Sequence, residues 1–195
     1  MKAIFGDIET LSLDTRAMVL SIGAVYIDLS EEWTFEQILN NSVELLVGTD
    51  LQYIAKRHVS ASTVQWWKSQ GEAAKRVLTP GPLKTINPDE WPQKLSGELA
   101  LSLPQLKALP WFFRGPHFDA TILGTLSDDF GIDTPWEYYN VRDVRTWWDA
   151  HGLDRQHRPA KPSQMIPHNA AHDAAYDAWC INQVMHGRIA AKKAV

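Results

Sequence analysis

The chain has 195 residues, 45% of them hydrophobic, with 19 basic against 23 acidic side chains and a formal net charge of −4. That length suits one domain, residues 1–195, able to bury a core without covalent staples. Nine Trp, six Phe and five Tyr exclude a disordered chain, and the single Cys180 excludes a disulfide scaffold and fits a reducing compartment. The acidic balance argues against a protein that grips nucleic acid chiefly by neutralising phosphates. No apolar run reaches the roughly 18 residues a membrane span needs. MKAIFGD places an acid at position 7, where a signal peptide would build its apolar segment. The expectation is a cytoplasmic protein with no membrane partner.

In chain order, the spacing predicts strands over 2–9, 17–28 and 42–47, joined by loops that suit an antiparallel meander. A helix follows over 60–77, with Ser60 or Ser62 as its N-cap. Two similar runs, QWWKSQG and TWWDAHG, read as helix ends with Gly71 and Gly152 just past the last turn. Residues 79–110 contain prolines at 80, 82, 88, 92, 104 and 110 around one helix near 89–101. This segment reads as an elaborated connection within the domain. Then come a buried strand at 111–114, a helix over 118–130 ending at Gly131, and a short strand at 138–141. A helix at 143–150, a second proline-rich loop over 159–167 and a long alanine-rich helix over 169–186 complete the chain. Strands first, then α/β alternation, predict a mixed sheet flanked by helices.

Three segments carry the chemistry. FGDIET puts Asp7 and Glu9 two residues apart on a strand, hence on one face. Two carboxylates forced together there are costly unless a cation neutralises them, and hard divalent ions want such ligands. Alone, an acid at a strand end is equally a turn residue. Asp119, in RGPHFDATIL, falls in the first turn of a helix, where the helix dipole by itself accounts for an acid. In PHNAAHDAAYDA, His168 stands at a helix start, five residues before Asp173. Alanines 170, 171, 174, 175 and 178 would let that helix approach another element closely. His172 and Asp177 repeat the same H-x4-D spacing one turn on; His168, directly after Pro167, is preferred as the freer side chain.

Taken together and in order, FGDIET, GPHFDATIL and HNAAHDAAYDA resemble the three motifs of the DEDDh exonuclease family within the RNase H-like superfamily. DIETLSLDTRAMVLSIGAV and TVQWWKSQ look most like the branch containing exonuclease A of the T-even phages and its bacterial relatives. The resemblance implies an RNase H-like α/β fold, in which β1-β2-β3 are antiparallel and later strands parallel. It implies that Asp7, Glu9, Asp119 and Asp173 hold two Mg²⁺ or Mn²⁺ ions and that His168 takes a proton from the attacking water. The implied reaction is hydrolysis from single-stranded DNA or RNA 3′ ends, releasing nucleoside 5′-monophosphates.

By the same resemblance Thr10, Leu11 and Phe118 contact the terminal nucleotide. An aromatic platform suits an unpaired base, and Trp67 or its neighbour Trp66 could supply it, although adjacent helix positions face about 100° apart. Trp147 and Trp148 are subject to the same restriction. Arg114, Arg142 and Arg145 are candidate phosphate contacts or ordinary surface charges. Many relatives are dimers, and a homodimer through 79–110 is compatible with the composition. Two other readings stand beside the exonuclease: an RNase H-like endonuclease, which the H-x4-D pattern disfavours, and a catalytically inactive nucleic-acid or partner-binding module, which loss of an acid would favour. Two bound divalent ions would place +4 where the phosphate sits, so attraction to substrate needs no basic face.

Overall fold

In the computed structural model, residues 1–79, 85–153 and 158–189 are described, and the prolines at 80 and 82 lie outside them. A five-stranded sheet of order β3-β2-β1-β4-β5 organises the chain. β1 (Lys2–Thr10) and β2 (Val19–Asp28) are antiparallel, as are β2 and β3 (Ser42–Leu46). β4 (Trp111–Phe113) and β5 (Val141–Asp143) add on parallel to β1. This is the mixed sheet expected.

Both faces of β1 are covered, which is why its apolar residues run almost without interruption. Ala3 and Phe5, with Val25 and Ile27 of β2, pack against Ala174, Ala175, Ala178 and Ile181 of α9 (Ala170–Met185). Ile4 and Ile8, with Ile22, pack against Ile122, Leu123 and Leu126 of α7 (Asp119–Phe130). α8 (Val144–Ala150) joins the first layer through Val144 and Trp148. Among the described residues no helix is long and apolar enough to cross a membrane.

Several boundaries differ from the sequence expectation. The helix over 60–77 is two helices, α3 (Ala61–Lys68) and α4 (Glu72–Lys75), followed by a 3-10 turn at Arg76–Leu78. Gly71 is extended, at φ −64°, and precedes α4, whereas Gly131 and Gly152 adopt the left-handed conformation at φ +64° and +70°. Ser60 precedes α3, but its hydroxyl bonds Ser62 rather than capping the helix. Residues 138–140 form a 3-10 turn, and the strand begins at Val141. α1 (Phe35–Asn40) interrupts the meander between β2 and β3, and α2 (Asp50–Ile54) follows β3. The 79–110 connection contains α5 (Trp91–Glu98) and α6 (Leu103–Ala108), with Pro92 and Pro104 in their first turns, where a missing N–H costs nothing.

The closest approach between layers lies at Gly23, the cross-strand partner of Asp7. A Cβ built there would come within 2.1 Å of the Ala170 carbonyl carbon and 2.3 Å of the Ala171 nitrogen. The first turn of α9 therefore rests directly on the β2 backbone. Gly23→Ala should destabilise the fold by about 3 kcal/mol through overpacking. Gly124→Ala, in α7 with nothing within 4 Å of the added carbon, should instead stabilise by about 0.5 kcal/mol. Urea unfolding of the two variants checks both signs.

Candidate active site

Asp7 and Glu9 project from the α9 side of β1. Asp119, the first residue of α7, is 4% exposed, and its Oδ1 accepts the Ile8 N–H at 3.3 Å. A backbone amide between the two β1 acids thus holds the third. Asp173 lies one turn into α9, and its Oδ2 accepts the His168 N–H at 2.9 Å. Ligand atoms of Glu9, His168 and Asp173 all lie within 4.8 Å of one another.

The start of α9 is fixed from both sides. Asn169 caps it by accepting the His172 N–H, and the Asn169 amide donates to both oxygens of Glu44 at 3.1 Å. Glu44 stands on β3 opposite Gly23, so Asp7, Gly23 and Glu44 form one row across three strands. Arg76, from the turn after α4, pairs with Glu44 from the other side.

The two H-x4-D pairs have different surroundings. The His172 ring accepts the Ile166 N–H through Nδ1 at 3.1 Å and so ties down the preceding loop. Asp177 is 1% exposed and engages Arg114, whose Nε lies 2.8 and 3.0 Å from its two oxygens. Arg114 also reaches Asp173 Oδ1 at 3.5 Å and lies over the rings of Trp148 and Tyr176. It sits behind the acids as a fixed cation and is not free to meet a phosphate. Sequence reading left Arg114 as a candidate phosphate contact or an ordinary surface charge; the missed signal was its position one residue past a buried strand. Arg142 donates to the Tyr139 and Val141 carbonyls, and exposed Arg145 lies beside Gly115.

Thr10 is buried at the end of β1, while Leu11 and Phe118 are partly buried. Trp67 does not fit the proposed base platform. It is fully buried with Leu20, Leu46, Ala74 and Val77, and its indole N–H donates to the Thr10 carbonyl at 2.9 Å. The exposed member of the pair is Trp66, whose ring lies 4.8 Å from that of His168. Trp148 is likewise buried, whereas Trp147 stacks on His151.

The acids repel one another in a poorly solvated place. Burial, followed by the charges of Asp119, Asp173 and Glu9, holds the Asp7 carboxyl well above its usual range. Burial, with Asp173, Asp119 and Glu44 adding to it, pushes Glu9 up to about 8. Burial raises Asp119 to about 7 despite the Ile8 amide, and raises Asp177 to about 6 despite Arg114. Burial opposes the Arg114 charge, but Asp177, Asp7 and Asp173 outweigh it. Burial keeps His168 below its ordinary value, so its ring is neutral near pH 7 and can accept a proton. The buried Ser21 hydroxyl, in register with Glu9, has no hydrogen-bond partner among the described residues. Hard oxygen donors at this density, together with an orphaned hydroxyl, fit divalent cations.

A mixed sheet bearing clustered acids from β1, α7 and α9, with a histidine just before α9, is the fold and side-chain set expected of an RNase H-like exonuclease, and comparison with known proteins makes the chain a 3′–5′ exonuclease, a phosphodiester hydrolase. The profile of the Rv2179c-like 3′–5′ exoribonuclease domain matches residues 2–185, and the chain belongs to that family. An exodeoxyribonuclease of Enterobacteria phage T4 is 24% identical over 97% of this chain and 88% of its own length. Among solved structures, S. pombe Pop2p with Mg²⁺ and Mn²⁺ bound is similar at a TM-score of 0.59 and 15% identity, covering 93% of this chain and 82% of its own. A metal-free complex of E. coli exonuclease I with single-stranded DNA is similar at a TM-score of 0.56 and 12% identity. That match covers 95% of this chain but 41% of exonuclease I.

The raised carboxyls set a sign for stability. Without metal, folded Glu9 and Asp119 keep protons that the unfolded chain releases from about pH 4 upward, so stability falls as the pH rises towards about 8. In chelator near pH 8, Glu9→Gln should melt about 5 °C above wild type, the shift that roughly 2 kcal/mol produces at this size. The gap should close towards pH 5. Mn²⁺ should raise the wild-type melting temperature more than that of the variant. Thermal melts across pH, with and without metal, read all three.

Proposed function

We propose that the chain is a divalent-metal-dependent exonuclease of the DEDDh kind, removing nucleoside 5′-monophosphates from the 3′ ends of single-stranded RNA or DNA. The observation that carries this reading is the convergence of Glu9, His168 and Asp173 within 4.8 Å, beside Asp7 and with Asp119 tied to the same strand. Asp7, Glu9, Asp119 and Asp173 would hold two Mg²⁺ or Mn²⁺ ions. When bound, such a pair lowers the pKa of a water and offsets charge on the leaving 3′ oxygen.

The side chains have separate tasks. His168 takes the water proton at a ring nitrogen that its surroundings keep unprotonated near neutral pH. Through the cations they would hold, the carboxylates would position the scissile phosphate, and Arg114 holds Asp173 from behind. Thr10 and Leu11, at the end of β1, meet the terminal sugar and base, with Phe118 closing the side next to Asp119. Support for a nucleic-acid strand comes from the exoribonuclease family, the T4 exodeoxyribonuclease and the single-stranded DNA held by exonuclease I. Two of these names differ in the sugar, so matched RNA and DNA oligomers belong in the same experiment.

Strands labelled at the 5′ end should shorten stepwise with Mn²⁺ or Mg²⁺ and remain intact in chelator. Asp7→Ala should abolish the shortening, and His168→Ala should lower kcat by about a hundredfold, the usual contribution of a general base. Internal cuts, or an Asp7→Ala protein as active as wild type, would refute the reading.

A further inference from the structure

Trp66 and Trp67 are consecutive on α3, so their side chains leave the helix about 100° apart. Trp67 occupies the core, and its bond to the Thr10 carbonyl locks α3 against the end of β1. Trp66 is thereby turned towards the acids, 41% exposed, with its ring meeting His168 edge-on at 83° and 4.8 Å between centroids. Trp67 supports the arrangement from behind, 5.1 Å from Trp66 and 6.5 Å from His168.

The His168 backbone is unusual. It sits in the left-handed region at φ +59°, a conformation that costs a side chain of this size energy and persists only where neighbours impose it. Its N–H is held by Asp173, but its ring makes no hydrogen bond among the described residues. The backbone of His168 is fixed by a carboxylate, while the direction of its ring depends on aromatic packing. A proton acceptor must lie within a few tenths of an ångström of its working position, and an edge-on aromatic contact can impose such a direction.

We propose that Trp66 is the positioning residue for His168: its indole wall holds the imidazole towards Glu9 and Asp173. The proposal rests on His168 being the proton acceptor. Because the other surface of Trp66 is open to solvent, a purely base-stacking role is the competing outcome, and the two separate kinetically.

The experiment compares wild type, Trp66→Ala, Trp66→Phe, His168→Ala and the Trp66→Ala/His168→Ala double variant. Each acts on a single strand with an ordinary 3′ nucleotide and on the same strand ending in an abasic nucleotide. Trp66→Ala should lower kcat about tenfold on both strands, and Trp66→Phe should restore most of it. Adding Trp66→Ala to His168→Ala should cost nothing further, since the residue acts through a ring already removed. The Mn²⁺-induced rise in melting temperature should survive in Trp66→Ala, which separates a local effect from unfolding. A loss confined to KM that vanishes on the abasic strand would overturn the proposal in favour of base stacking. Multiplying losses in the double variant would overturn it by showing independence from His168. Full kcat in His168→Ala would instead remove the assignment on which it rests.

Discussion

The geometry of this protein turns on a backbone resting on a backbone. Where the first turn of α9 crosses β2 at Gly23, no side chain fits between them. That contact sets the depth of the helix above the sheet and so the distance from Asp173 and His168 to Asp7 and Glu9. Alanines 170, 171, 174, 175 and 178 keep the neighbouring spacing short, and Glu44 fixes the same turn sideways through Asn169. A longer side chain anywhere along this seam would lift two of the functional groups away from the other three.

Closeness creates the electrostatic problem that defines the site. Asp7, Glu9 and Asp119 are each harder to ionise than an ordinary carboxyl because they are buried and near one another. The fold offsets part of this with two internal donors, the Ile8 amide and the Arg114 guanidinium. Arg114 is itself held by Asp177, and His172 accepts the Ile166 N–H, so both members of the second H-x4-D spacing are engaged in internal contacts. The net charge of −4 is consistent with the proposed function, in which cations held by the cluster would attract a phosphate without a basic surface.

The first four strands and the three acidic segments were legible, because apolar runs bounded by turns and paired carboxylates leave a local trace. Gly131 and Gly152 were readable for the same reason: each ends a helix with its own residue type. Short elements were not. α1 and α6 begin with Thr34/Gln37 and Ser102/Gln105 capping boxes, and such a signal is easily passed over without a long apolar stripe behind it. The 60–77 run reads as one helix even though QWWKSQG also signals a helix end at Gly71, and the chain does break there, at Ser69–Gly71. Trp66 and Trp67 were indistinguishable in sequence, as phase on an eight-residue helix is set by what it packs against. Gly23 looked like any strand glycine; only the arrival of a segment almost 150 positions later gives it meaning.

That distance along the chain bears on how the site assembles. His168 lies just before α9, the last helix described, and Asp173 within it, while the acids they join come from the first strand and from α7. The cluster therefore assembles only once α9 is seated on β2; before that, Asp7, Glu9 and Asp119 stand without the fourth acid and the histidine.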